Sequence, residues 1–259
     1  MKPIAHIRTD LPQKFGIPRN GSLAPHLQGQ IVFEPEFADE AAVAGLESFS
    51  HLWLLWEFQN GAPGGTAADI AADAATRDKA GDDAAAGWRP TVRPPRLGGA
   101  RRVGVFASRS PFRPNPIGLT CVKLDRVELT GSGPVIHVLG ADLRDGTPIY
   151  DIKPYIPFAD CHPEATGGWI EDAPWHELAV FLPDGLRRRV PAKKLEGLLE
   201  VLRQDPRRAG SKPDPARVYH LAYAGLDVSF TVDGPDLRVV DIEPAAGPAT
   251  DDGEETSAA

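Results

Sequence analysis

The sequence predicts a mainly β fold, in which a curved sheet closes into a β-barrel and a small α+β domain follows at the C-terminus. Three observations lead there. Short β-rich segments recur at close spacing, with few helical ones between them. The chain carries 26 Gly and 26 Pro, which punctuate it with turns. In the segment Leu119–Leu129 the apolar positions shift phase, from Val122 and Leu124 to Val127 and Leu129. That step marks a bulge near Asp125 and Arg126, the kind of kink that bends a sheet toward closure.

Taken in chain order, Lys14–Leu23 is a turn-rich loop ahead of a first strand at Gln30–Phe33, which ends before Pro35. Leu52–Phe58 is an apolar run broken only by Glu57, the pattern of a strand buried on both faces. Gly61–Gly87 is almost wholly Ala, Gly and Asp; with so little to bury it cannot offset its ordering entropy, and a mobile insertion is expected. Arg102–Phe106 predicts a strand after a Gly-Gly turn, and Val135–Leu139 should pair with Leu119–Leu129 across the Gly131–Pro134 turn. Lys193–Arg203 places Leu195, Leu198, Leu199 and Leu202 on one helical face, and Pro206 stops it. Leu226–Val232 and Leu237–Ile242 read as a hairpin around Asp233–Asp236. The expected organisation is a barrel domain at 1–172, a small C-terminal domain at 173–243 and a disordered tail at 244–259.

With 42% hydrophobic and 25% charged residues, the 259-residue chain can bury a sizeable core. No apolar run approaches the roughly 20 residues of a membrane helix. Met1–Asp10 lacks the apolar centre of a secretory signal. The two cysteines, Cys121 and Cys161, suit a reducing compartment, so a cytoplasmic protein is expected. Cys121 falls on the apolar pattern of its strand and reads as packing, as do Trp53, Trp56 and Phe58. The net charge of −8 argues against a polyanionic partner, but the charge is segregated. No Asp or Glu occurs between Ala84 and Leu124, a stretch rich in arginine, and Arg187–Arg189, Lys193, Lys194, Arg203, Arg207 and Arg208 form a second basic cluster. Solvated arginines and a phosphate-binding surface both account for this pattern.

Three segments carry candidate chemistry. In Ala107–Thr120, Pro111, Pro114 and Pro116 fix the backbone around Arg109, Arg113 and Asn115, as a ligand-binding wall or a purely structural turn would need. In Asp142–Asp160, a turn at Asp145–Pro148 precedes Asp151, Lys153 and Tyr155, which alternate and so share one strand face. That trio could move a proton, or be an exposed ion pair with an aromatic neighbour. Lys14–Leu23 could wrap a ligand or merely connect. The chain has no G-x-G-x-x-G or P-loop pattern and no paired histidine spacing, so neither a Rossmann nucleotide site nor a metal is expected.

Together these stretches resemble one family, TrmO (also called YaeB or TsaA-like proteins). The resemblance is carried by K-F-G-I-P-R at Lys14–Arg19, G-L-E-S-F-S-H-L-W at Gly45–Trp53 and G-W-R-P-T-V-R-P-P-R-L-G-G at Gly87–Gly99. It continues through G-V-F-A-S-R-S-P-F-R-P-N-P-I-G at Gly104–Gly118, D-G-T-P-I-Y-D-I-K-P-Y at Asp145–Tyr155 and Q-D-P-R at Gln204–Arg207. The resemblance implies a β-barrel, homodimeric methyltransferase that uses S-adenosylmethionine to methylate N6 of threonylcarbamoyladenosine at position 37, in the anticodon stem-loop of a tRNA. It carries donor contacts onto Gly21, Ser22, Leu23, Gln59, Asn60, Arg109, Leu119, Gly140, Ala141, Asp142 and Leu143. The chain departs from the family pattern at Gly21-Ser22, where Pro-Gly is frequent, at Gln59, where His is frequent, and after Arg207. On this reading Asp151 is the candidate general base, with Lys153 and Tyr155 orienting it. Arg109 would pair with the donor's carboxylate or with a phosphate. Arg19, Phe112, Arg113, Asn115 and Arg207 would bind substrate, with Phe112 stacking on a flipped adenine. Rival readings are an RNA-binding module of the same fold without catalysis, and a methyltransferase acting on another RNA or a small molecule.

Overall fold

The computed structural model describes residues 1–58, 88–94, 101–172, 176–207 and 213–245. Gln59, Asn60, the 61–87 insertion and all of the tail beyond Ala245 therefore lie outside the described residues.

Six antiparallel strands close a barrel in the order β1-β2-β7-β6-β3-β8. Its members are β1 (Ala5–Thr9), β2 (Gln28–Phe33), β3 (His51–Glu57), β6 (Ile117–Thr130), β7 (Gly133–Leu139) and β8 (Pro148–Pro154). Alternation sets the inside: Ala5, Ile7, Leu52, Leu54, Val122, Leu124, Ile136, Val138 and Ile149 fill one core. The phase shift in β6 is a real bulge, since its register with β7 slips between Leu124 and Arg126. β6 and β7 form the expected hairpin, with Thr130 opposite Gly133. The seam closes where Ala5 faces Ile149.

Some expectations are corrected. The first strand is β1, ahead of the Lys14–Leu23 loop; its five residues, with Ala5 and Ile7 alternating inward, were too short a pattern to stand out. β3 is buried on one face only: Leu52 and Leu54 are fully enclosed, while Trp53 and Leu55 lie half-buried on the outer wall. Cys121 faces outward beside Trp53 in the β3–β6 register and is half-buried, because the inward set on β6 is Gly118, Thr120, Val122 and Leu124. Arg102–Phe106 yields only a two-residue strand, β5 (Val103–Gly104), paired with β4 (Thr91–Val92); a 3₁₀ turn over Val105–Ala107 follows and leaves Phe106 exposed.

The second unit is a four-stranded sheet of order β10-β11-β12-β9, built from β9 (Ala179–Phe181), β10 (Tyr219–Tyr223), β11 (Leu226–Asp233) and β12 (Asp236–Pro244). β12 thus includes Pro244, assigned above to the tail. Two single-turn helices, α1 (Pro157–Asp160) and α2 (Asp184–Arg187), precede the long α3 (Ala192–Arg203). α3 buries Leu198, Val201 and Leu202 in the core under this sheet, and Leu199 is buried beside them in sequence. Residues from the N-terminal part enter the same core: Leu11, Ala24 and Leu27 are fully buried there, with Phe15 and Ile17 packed at its edge.

Candidate active site

The strands deliver several chain segments to one end of the barrel, where β7 ends, β2 begins and β6 begins. Asn20 caps the 3₁₀ turn Gly21–Leu23 by accepting the Ser22 amide at 2.9 Å. Against this turn lies the stretch Gly140–Leu143 leaving β7, held by a hydrogen bond from the Gly140 amide to the Leu27 carbonyl (2.8 Å). The approach is so close that a Cβ on Gly21 would sit 2.0 Å from the Gly140 carbonyl oxygen, so only glycine fits.

Asp142 is the centre of this junction. Its carboxylate accepts the Thr120 hydroxyl at 2.9 Å and the Gly21 amide, and Thr120 in turn accepts the Trp56 indole N–H at 3.1 Å. Burial raises the carboxyl above its ordinary range; the Thr120 hydroxyl, backbone amides and the positive charge of Arg109 pull it back. A partly desolvated carboxylate beside an arginine, walled by close-packed backbone, suits a small ligand that carries both positive and negative charge.

The sequence-predicted donor set is therefore brought together in part. Gly21, Gly140, Asp142 and Arg109 converge, with Ser22 exposed and Leu23 half-buried in the same turn. Ala141 and Leu143 send their side chains into the barrel core, which leaves their backbone for any contact. Leu119 precedes Thr120 but points outward, 52% exposed. Asp151, Lys153 and Tyr155 do share a face. It is the outer wall: Asp151 lies opposite Leu55, which faces Leu119 on its other side, and Lys153 lies opposite Trp53. Lys153 Nζ is 2.7 Å from Asp151, and the Tyr155 ring sits 5.8 Å from Trp53.

The proline-rich loop is rigid by construction. Ser108 and Ser110 hydroxyls accept amides two residues on, and the Pro116 carbonyl accepts the Phe58 amide at 2.9 Å. Arg113 folds back to donate to the Ser108 and Ser110 carbonyls (3.1 and 3.2 Å), so it braces the loop. Arg89 lies over the Phe112 ring at 4.9 Å, while Arg109, Asn115 and Arg19 are exposed. In the second basic cluster Arg207 forms a two-pronged pair with Asp205, Lys194 bonds Asp10 and Arg189 bonds Asp241. Arg187, Arg188 and Lys193 remain on the surface.

Sequence reasoning missed Thr120, Trp56 and the Tyr150–Glu57 pair. Thr120 was findable as a polar residue at an inward position of an otherwise apolar strand face. The Tyr150 hydroxyl donates to Glu57 at the same end of β3, and that bond pushes its ionisation up to about 12. Nothing in the sequence signals a pairing across 93 positions.

Matches to known proteins cover both units. The family model of the tRNA-methyltransferase O N-terminal domain matches residues 6–161, and that of the TrmO C-terminal domain matches residues 185–245. The chain belongs to the TrmO family. A tRNA (adenine(37)-N6)-methyltransferase of Escherichia coli K12 is 37% identical to the chain, over 93% of it and 96% of the relative. A putative S-adenosylmethionine-dependent methyltransferase of Pseudomonas aeruginosa is 39% identical over the same shares. The crystal structure of TrmO from Pseudomonas aeruginosa superposes with a TM-score of 0.66 at 33% identity, covering 93% of this chain and 96% of that one. Among the described residues the chain has no cluster of three metal-ligating side chains and no helix long and apolar enough to cross a membrane.

Proposed function

We propose that this TrmO-family protein methylates N6 of adenosine 37 in a tRNA, with threonylcarbamoyladenosine as the acceptor and S-adenosylmethionine as donor. The observation that carries this reading is the convergence of Gly21, Gly140, Asp142 and Arg109 at one end of the barrel. The names of the relatives supply the reaction.

The residues present fit that donor: a carboxylate for its cationic groups, an arginine for its carboxylate, and a glycine cradle that a Cβ would fill. Bound there, it supplies a methyl group made electrophilic by a sulfonium. The protein's work is then positioning, and the stapled Ser108–Ile117 backbone holds Arg109 at little entropic cost. Asp151 is the residue to accept the N6 proton, and Lys153 at 2.7 Å orients its carboxylate. Phe112, backed by Arg89, offers a ring for base stacking, and Arg19, Asn115, Arg187, Arg188 and Lys193 offer contacts to RNA phosphates. The outer wall exposes Ile117 and Leu119 beside half-buried Leu55 and Trp53, an apolar surface fitted to a second copy of the chain in a homodimer. A cytoplasmic location follows from a tRNA substrate.

Mass spectrometry of tRNA nucleosides from a deletion strain tests the reaction: methylated threonylcarbamoyladenosine should vanish and return on complementation. Its persistence would overturn the assignment. Asp151→Asn should keep donor binding and lose turnover; normal methylation by this variant would remove Asp151 from the mechanism.

A further inference from the structure

The donor turn Gly21–Leu23 belongs to a segment that is not held by the barrel alone. After the turn the chain passes through His26 and Leu27 before entering β2. On one side of this passage, the Leu27 carbonyl accepts the Gly140 amide at 2.8 Å, tying it to the second donor stretch. On the other side stands Glu200, on helix α3 of the C-terminal unit, 174 positions away. Glu200 is 8% exposed, and its two oxygens grip one residue: Oε2 accepts the His26 amide at 2.9 Å, and Oε1 meets the His26 Nδ1 at 2.5 Å.

A buried carboxylate is costly to desolvate, and fixing a surface loop is not the cheapest way to anchor a helix that already buries four apolar residues. What this carboxylate does is fix, from the second unit, the backbone between the donor turn and its brace. Three hydrogen-bonded links and one close backbone approach run in series: α3 Glu200 to His26, Leu27 to Gly140, the Gly140 carbonyl packed against Gly21, and the Gly21 amide to Asp142. Lys194 and Tyr223 also fasten α3, without bonding His26 or Leu27: Lys194 bonds the side chains of Asp10 and Gln28, and the Tyr223 hydroxyl donates to the Lys194 carbonyl.

We infer that Glu200 is a positioning residue for the methyl donor, so that the C-terminal helix shapes the donor site as well as belonging to the second unit. The inference rests on the donor site proposed above. In functional terms, the donor turn keeps its shape only while α3 is docked.

Calorimetry of the full-length protein with S-adenosylmethionine tests it. Glu200→Ala removes both contacts and should weaken donor binding about tenfold, the loss expected for a charge-assisted hydrogen bond at a buried site. Glu200→Gln should restore it, since the amide oxygen accepts the His26 N–H while its NH₂ donates to Nδ1. Lys194→Ala, which loosens α3 without touching His26 or Leu27, should lower the melting temperature and leave donor affinity unchanged. An equal loss of affinity in Lys194→Ala, or unchanged affinity in Glu200→Ala, overturns the inference. Should Glu200→Ala not fold, His26→Ala removes one arm of the grip, and unchanged affinity there overturns it as well. Gly21→Ala separates the two levels: if it abolishes binding while Glu200→Ala does not, the donor site stands and the helix has no part in it. If Gly21→Ala binds normally, the donor site itself is misplaced and the inference falls with it.

Discussion

Tyrosine ionisation shows how single side chains report the packing around them. Burial raises Tyr223, with the negative charges of Asp10 and Glu200 adding to it, and its hydroxyl keeps its proton to donate to the Lys194 carbonyl at 3.0 Å. Tyr150 is held up by its bond to Glu57, to about 12. Both ionise higher in the folded chain than in the unfolded one, where the ordinary value is about 10. Their contribution is therefore complete below pH of about 10 and is lost as pH rises above it, through the folded values. Melting temperature should fall across that alkaline range. Tyr223→Phe should flatten the fall while costing about 1 kcal/mol at neutral pH through the lost hydrogen bond. A fall of unchanged steepness in Tyr223→Phe would show that this hydroxyl does not control it.

Strand β6 shows what one element can be asked to do. Its inward row begins with Gly118 and Thr120, and the Trp56 indole of β3 lies across Gly118, where an added Cβ would be 2.2 Å from the ring. Gly118→Ala must displace that indole and with it the Trp56–Thr120–Asp142 chain. Unfolding by urea should show a loss of about 1–3 kcal/mol from overpacking, and donor affinity should drop in parallel. Full affinity in a folded Gly118→Ala would detach Trp56 from the site. The same strand marks the limit of sequence reading. Its length, its bulge and its hairpin with β7 were legible, because they follow from spacing and turn chemistry. So was the long helix, from its four leucines. The outward turn of Cys121 and the single buried face of β3 were not, since a closed barrel hides its inner face only and an amphipathic outer wall still reads as apolar. In the site, glycine and arginine positions came from motif resemblance. Asp142 came the same way, but its bond to Thr120 did not, because Gly21, Thr120 and Asp142 meet only once the barrel has closed.

At the scale of the whole molecule, two exposed features bear on assembly and substrate: the outer wall and the basic surface. Ile117, Leu119 and Phe106 are exposed, Phe106 by 73%. If a second copy covers this wall, Leu119→Glu places a charge at the contact. Sedimentation velocity should then show a monomer where the parent sediments as a dimer, and the barrel should melt as before because Leu119 is outside its core. A monomeric parent would remove the dimer from the account. The net charge of −8 is compatible with RNA because the acids and bases occupy different stretches; Arg189, Lys194 and Arg207, paired with Asp241, Asp10 and Asp205, contribute less to that surface than the exposed Arg187, Arg188 and Lys193.

Leu11, Ala24 and Leu27, encoded near the start of the chain, rest in a core whose other walls are the last to be made. A ribosome that has released β8 has supplied every stave of the barrel, yet the link between the first two staves still lacks its bed. It finds one only when α3 and the final hairpin emerge. Shortening the protein from its C-terminal end should therefore strip cover from apolar residues at the opposite end of the gene product, and the early-made half has to wait, partly dressed, for the late-made half.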